Sequence, residues 1–151
     1  LASLSRINSF PRIEIWTKSL ELIKSNFFTG YGGGSFSTLY NLSDGKFEGI
    51  QHTHNMFLDI AFSYGLPVSM IISATMLFIL YKNSKLFILN RSQDCLDKVD
   101  EFFFINKAWF VSFFIFFFLH IFDITYFDGR ISLLAWILLA GMRQIIKEYR
   151  I

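Results

Sequence analysis

Polar and apolar positions mix irregularly over the first 55 residues and then separate into blocks. Residues 56–81, 102–122 and 131–146 are largely apolar, with short polar stretches between them. A spanning helix needs about 20 mostly apolar residues, so these blocks predict three transmembrane helices, the first preceded by an entry helix beginning at Met56. Gly65 and Pro67 mark a break or bend inside the first block, because proline is tolerated in a helix's first turn. The uninterrupted apolar part of the third block stops at Met142, which leaves a buried core helix as the alternative there. Upstream, Ile13, Trp16, Leu20, Ile23 and Phe27 recur at intervals of three and four, as one face of an amphipathic helix does. Pro11 suits its first position and Gly30 its end. Such a helix lies in the membrane interface or packs on other extramembrane segments.

Charge orients this pattern. Lys82, Lys85, Arg91 and Lys98 fall in the stretch 82–101, and Arg143, Lys147 and Arg150 close the chain, whereas 123–130 carries only Arg130 as a basic residue. The positive-inside rule then places 82–101 and the tail 147–151 in the cytoplasm and leaves 1–55 and 123–130 outside. Cys95, the one cysteine, falls on the reducing side. The composition is 53% hydrophobic, only slightly above the roughly 45–50% of soluble domains, but the excess is concentrated in the blocks. A net charge of +2, with no basic patch interleaved with aromatics, argues against a nucleic-acid partner. The chain opens on Leu1 without a signal-peptide pattern and is expected to be the C-terminal part of a longer protein. The predicted fold is all-α, a polytopic integral membrane helical bundle with an outer segment of amphipathic helix and glycine loop.

With that topology, the residue types that carry chemistry collect on the outer side. Arg12, in the first turn of the amphipathic helix, opposes the helix dipole. A guanidinium beside free backbone N–H groups suits a phosphate or pyrophosphate; the alternative is an exposed arginine without a role. Gly30, Gly32 and Gly34 form a loop that lets the backbone approach another group closely, but it has neither P-loop nor dinucleotide spacing. His52 and His54 share a face if extended. A third metal ligand at short spacing is missing, so no metal and no cofactor is expected. His54 and Asn55, just ahead of a helix, can cap it, and a neutral imidazole there is a competent general base near neutral pH. His120 and Asp123, at i and i+3 near the outer end of the second span, can pair on one helix face, or His120 can be satisfied by water at the interface.

In order, Arg12-Ile13-Glu14-Ile15-Trp16, Gly30-x-Gly32-x-Gly34-x-Phe36, His54-Asn55-x-Phe57-Leu58 and Gly65-Leu66 resemble the O-antigen ligase and polymerase superfamily. His120-x-x-Asp123 is similar to that family's later His/Asp element. The likeness covers residues 6–81 well and the remainder loosely. It implies a multi-spanning GT-C-like glycosyltransferase of the bacterial inner membrane, with its site facing the periplasm. The donor implied is an undecaprenyl-diphosphate-linked glycan and the acceptor a glycan or lipid hydroxyl, within a lipid bilayer. A chain-length regulator or a flippase is a further candidate partner. By the same resemblance His54 is the general base and Arg12 the diphosphate contact, with Gly30, Gly32, Gly34, Asn55, His52, His120 and Asp123 as substrate-binding candidates. Val68 stands where the family often has a second glycine. Another arginine important in the family falls upstream of Leu1, so this fragment is expected to hold part of the site and to be inactive alone.

Within that reading, polymerisation of O-antigen or other surface polysaccharide repeat units is the first expectation, since nothing marks a lipid-core or protein acceptor. Ligation to lipid A core and protein O-oligosaccharyl transfer share the same motifs. A transporter or flippase would keep ionisable residues near mid-membrane, whereas here they sit at the outer ends. A purely structural subunit leaves the order of the motifs unexplained.

Overall fold

Pro11 opens the first helix, where its missing N–H removes a donor that would have no intrahelical acceptor anyway. The computed structural model describes residues 11–90 (44, 46 and 48 excepted), 101–124 and 126–148. These form six helices: α1 (Pro11–Ser25), α2 (Phe36–Leu42), α3 (Met56–Tyr64), α4 (Leu66–Asn90), α5 (Glu101–Phe122) and α6 (Gly129–Glu148). Among the described residues there is no strand. Among the described residues three stretches are long and apolar enough to cross a membrane, Leu66–Ile88, Phe103–Phe122 and Gly129–Glu148, which makes this a multi-pass membrane protein of all-α class. The chain divides into two units, one reaching to Ile71 and including Ile121–Ile124, the other formed by Ile72–His120 and the residues from Thr125 onward.

In the first unit α1 packs on α3 around Ile15, Ile23, Phe36, Tyr40, Ala61 and Phe62. The buried stripe of α1 is Ile15, Ser19 and Ile23, at i, i+4 and i+8. Ile13, Leu20 and Phe27, which the sequence pattern groups with Trp16 and Ile23 on one amphipathic face, are exposed. Both sides of α1 carry aliphatic residues, so periodicity alone does not separate the side packed on α3 from the exposed one. The polar member of the true stripe is tolerated because the Ser19 hydroxyl donates to the Ile15 carbonyl at 2.6 Å.

The glycine loop is stitched to the end of α3. Tyr31 N–H donates to Phe62 O (2.8 Å), Gly32 N–H to Ser63 O (2.9 Å) and Leu66 N–H to Phe27 O (2.9 Å). A Cβ on Gly30 would come within 2.6 Å of the Gly65 nitrogen and the Phe62 carbonyl oxygen, and one on Gly65 would overlap the Phe28 carbonyl. Two glycines therefore let two backbones touch, and both have positive φ (+67° and +91°). Phe36, the last residue of the motif, is core: its ring meets Phe62 edge to face at 5.0 Å. The segment read as a loop from the sequence thus passes directly into α2, which was not anticipated.

The second unit buries Ile79, Leu80 and Leu86 of α4, Phe113 and Phe116 of α5, and Leu138, Met142 and Ile145 of α6. Asn83 ties α4 to α6 by donating from its amide to Met142 O at 3.3 Å. Outward residues such as Leu77, Phe78, Phe114, Phe118, Leu133 and Trp136 are exposed, as lipid-facing side chains are. The stretch 82–101, expected as a cytoplasmic loop, is still helical to Asn90. No glycine or proline interrupts residues 82–90, and Leu86, Phe87 and Ile88 continue the apolar run. Lys82 stays in the helix with its ammonium 5.8 Å from the Phe78 ring centre. Arg91, Cys95 and Lys98 lie outside the described residues, as does Arg150.

Replacing Gly30 by alanine is expected to destabilise the protein by more than the roughly 1–3 kcal/mol of backbone strain alone, because the new methyl meets main chain that cannot move aside. Gly34→Ala, with open space at its Cβ position, should show only the strain. Thermal unfolding of the full-length protein in detergent checks the ranking.

Candidate functional site

The site is built around three consecutive residues ahead of α3. Asn55 is the N-cap: its backbone is extended and its side-chain oxygen accepts from Leu58 N–H at 3.0 Å, as a capping asparagine does. Its amide nitrogen then donates to the Ile121 carbonyl at 2.9 Å. On the other side, the Trp16 indole N–H donates to the Thr53 carbonyl at 2.9 Å, and the Thr53 hydroxyl donates to the Asn55 carbonyl at 2.8 Å. His54 sits between these anchors with φ +53°, the one non-glycine residue with positive φ among those described. A non-glycine residue in this region is uncommon, and it persists only when its surroundings over-determine it. Here the capping asparagine and the tryptophan supply that determination.

His54 faces an open cleft of about 560 Å³, lined by Pro11, Arg12, Ile13, Ile15, Trp16, Ile50, His54 and Phe122. The walls are largely apolar, and Arg12 and His54 are the two lining residues whose side chains can carry positive charge. Asp123 lies beside His54, with Oδ1 3.9 Å from Nδ1, and the same oxygen accepts from Ile124 N–H at 2.7 Å. The His52 ring stands 4.3 Å from the His54 ring, centre to centre, at 67°, and its Nδ1 is buried without a hydrogen-bond partner. Burial holds the His54 pKa below its ordinary value near 6.5; the charges of His52 and Arg12 push the same way, and Asp123 opposes them. These influences together favour the neutral imidazole, the form that can accept a proton.

The remaining candidates fall elsewhere. Gly30 serves the contact between loop and α3, and Gly32 and Gly34 are exposed and do not line the cleft. His120 is buried in the second unit, where Nδ1 donates to the Phe116 carbonyl at 2.8 Å. Asp123, which the sequence spacing groups with His120, belongs to the first unit and brings Oδ1 near His54 Nδ1. In the second unit, Asp128 is held below the usual carboxylate range by hydrogen bonds from the Arg130 side chain and backbone. Among the described residues no three His, Cys, Asp or Glu side chains converge as metal ligands would. Thr53, Ile50 and Phe122 were not singled out from the sequence. Nothing local to them signals a role, since each acts through contacts remote in the chain.

A multi-pass helical membrane protein, with a left-handed histidine and an arginine on one cleft, is the class that these features define. The family model described as O-antigen ligase matches residues 3–73, so the resemblance carried by the motifs holds over the segment that contains Arg12, the glycine loop and His54. No curated protein and no solved structure gives a significant match. The match supports a transferase of the O-antigen ligase and polymerase type at that coarse level.

Asp123→Asn is expected to lower the His54 pKa further, because it removes the one neighbour that favours the imidazolium. Arg12→Ala should raise it. Titration of the His54 ring by NMR in the full-length protein checks both directions.

Proposed function

We propose that the cleft transfers a glycan from an undecaprenyl-diphosphate carrier to an acceptor hydroxyl, on the periplasmic side of the inner membrane and without a metal. The observation that carries this reading is the placement of Arg12 and His54 on one apolar cleft. The acceptor oxygen attacks the anomeric carbon as the bond from that carbon to the diphosphate oxygen breaks. The hydroxyl proton passes to His54 Nε2, since Nδ1 faces Asp123. The diphosphate leaves on the lipid, its charge met by Arg12, as developing charge at a leaving group requires. A planar guanidinium suits that role better than a point charge, because it can contact two phosphate oxygens at once.

The acceptor proposed is another repeat unit, which makes the reaction polymerisation. Transfer to lipid A core is the second reading and is favoured by the description of the matching family. Transfer to protein shares the chemistry. The full-length protein, expressed in a strain lacking it, separates these readings on a gel of surface polysaccharide. Loss of the chain-length ladder with single units still attached means polymerase, and loss of all attachment means ligase.

A positioned base typically contributes about 10²–10⁴-fold in rate, so His54→Ala should nearly abolish product while the protein still inserts normally. Arg12→Lys should impair transfer despite keeping the charge, and His52→Ala should be milder than either. Product yield at matched protein level is the measurement; near-parental yield from His54→Ala removes it as the base.

A further inference from the structure

The turn between α1 and the glycine loop exposes two phenylalanines on a backbone that is held fast. Phe28 is 75% exposed and Phe27 41%, and their rings meet edge to face at 5.1 Å. Large exposed aromatics on a loose loop would mean little, but this loop is anchored. The Phe27 carbonyl accepts from Leu66 N–H at 2.9 Å, and the Phe28 carbonyl packs where a Cβ of Gly65 would otherwise stand. Leu66 is the first residue of the membrane-spanning stretch Leu66–Ile88. The same turn is braced from within by Asn26, whose amide donates to the Gly30 carbonyl and whose side-chain oxygen accepts from Thr29 at 2.8 Å. The backbone that carries both rings is thus held beside the start of the span, with the rings themselves exposed. Nearby on the same unit, Val68, Met70 and Ile71 at the start of the span are exposed and apolar as well.

We infer that Phe27 and Phe28 form a wedge in the bilayer interface, and that its occupant is lipid at the boundary between headgroups and acyl chains. Continuity with the span selects this partner over a protein one. Val68, Met70 and Ile71 give the start of the span an exposed apolar surface, and the two rings on the adjoining turn add to it. Burying an aromatic side chain removes apolar surface from water in proportion to its area, and amphipathic elements settle at this depth for that reason. The wedge has a consequence for the extramembrane cleft. Turn, glycine loop and the end of α3 are one hydrogen-bonded assembly, and α3 is only about 14 Å long. Seating the turn in the interface therefore fixes how far the His54 end of α3 can stand from the bilayer. This inference does not depend on the reaction proposed above.

The test is a depth measurement on the full-length protein in phospholipid vesicles. A nitroxide is placed at Phe28→Cys in a background freed of Cys95 by Cys95→Ser and of any further cysteine. Collision of the label with oxygen, which concentrates in lipid, is compared with collision with a water-soluble nickel chelate. The expected result is oxygen collision exceeding chelate collision, in the same sense as a label at the outward-facing span position Leu77→Cys. Chelate collision exceeding oxygen would place Phe28 in water and overturn the wedge. Low collision with both would mean that protein covers it, and would overturn the wedge equally. Because Phe28 is exposed, the substitution leaves the packed core untouched, and a Phe27→Cys label provides a second reading at the same level.

Discussion

The indole of Trp16 and the side-chain amide of Asn55 each reach a backbone carbonyl far away in the chain, and between those two bonds the main chain passes through a left-handed histidine. Each bond does two things. The Trp16 bond ties the segment to α1, which brings Arg12 to the same cleft. The Asn55 bond ties it to Ile121, next to Asp123, while the other end of the same amide caps α3. If either is lost, His54 has no reason to hold a conformation that most residues avoid. The arrangement is therefore a constraint on backbone first and on side chains second, and it explains how a segment with few charged contacts presents one imidazole in a defined place.

Around that constraint the apolar core does ordinary work. Phe36 and Phe62 pack the glycine loop onto α3, and Gly30 and Gly65 allow their strands of backbone to touch. The residues of the Gly-x-Gly-x-Gly-x-Phe motif thus divide between tasks. Gly30 and Phe36 build the platform, while Gly32 and Gly34 remain exposed and outside the cleft. A motif that reads as one substrate-binding loop is, in its first and last members, a packing device.

The three membrane spans were legible from block hydrophobicity, which needs no tertiary information. The break ahead of the first span was legible from Gly65 and Pro67. The inward face of α1 was not, because Ile13 and Leu20 compete with Ile15 and Ile23 in any periodic count, and a buried Ser19 is recognised only when its hydroxyl is seen bonding back along the helix. The extension of α4 beyond Tyr81 was hidden by Lys82 and Lys85, which mark a span's end by charge but do not stop a helix. Arg12 and His54 were singled out separately from the sequence, and their shared cleft emerged only in three dimensions. The approach of Asp123 to His54 was not legible, because the two lie in distant parts of the chain and no local pattern reports such a pair.

The proposed chemistry turns on His54, whose neutral form is favoured by burial and by the neighbouring His52 and Arg12, taking the acceptor's proton. The most direct measurement is the pH dependence of kcat/KM for transfer by the full-length protein in vesicles with purified lipid-linked donor, since that quantity reports the free enzyme's essential base. The predicted result is an acid limb with its midpoint below the ordinary histidine value near 6.5, which disappears in the residual activity of His54→Ala. A rate that stays flat through that range, or a limb that survives in the His54 variant, would contradict it.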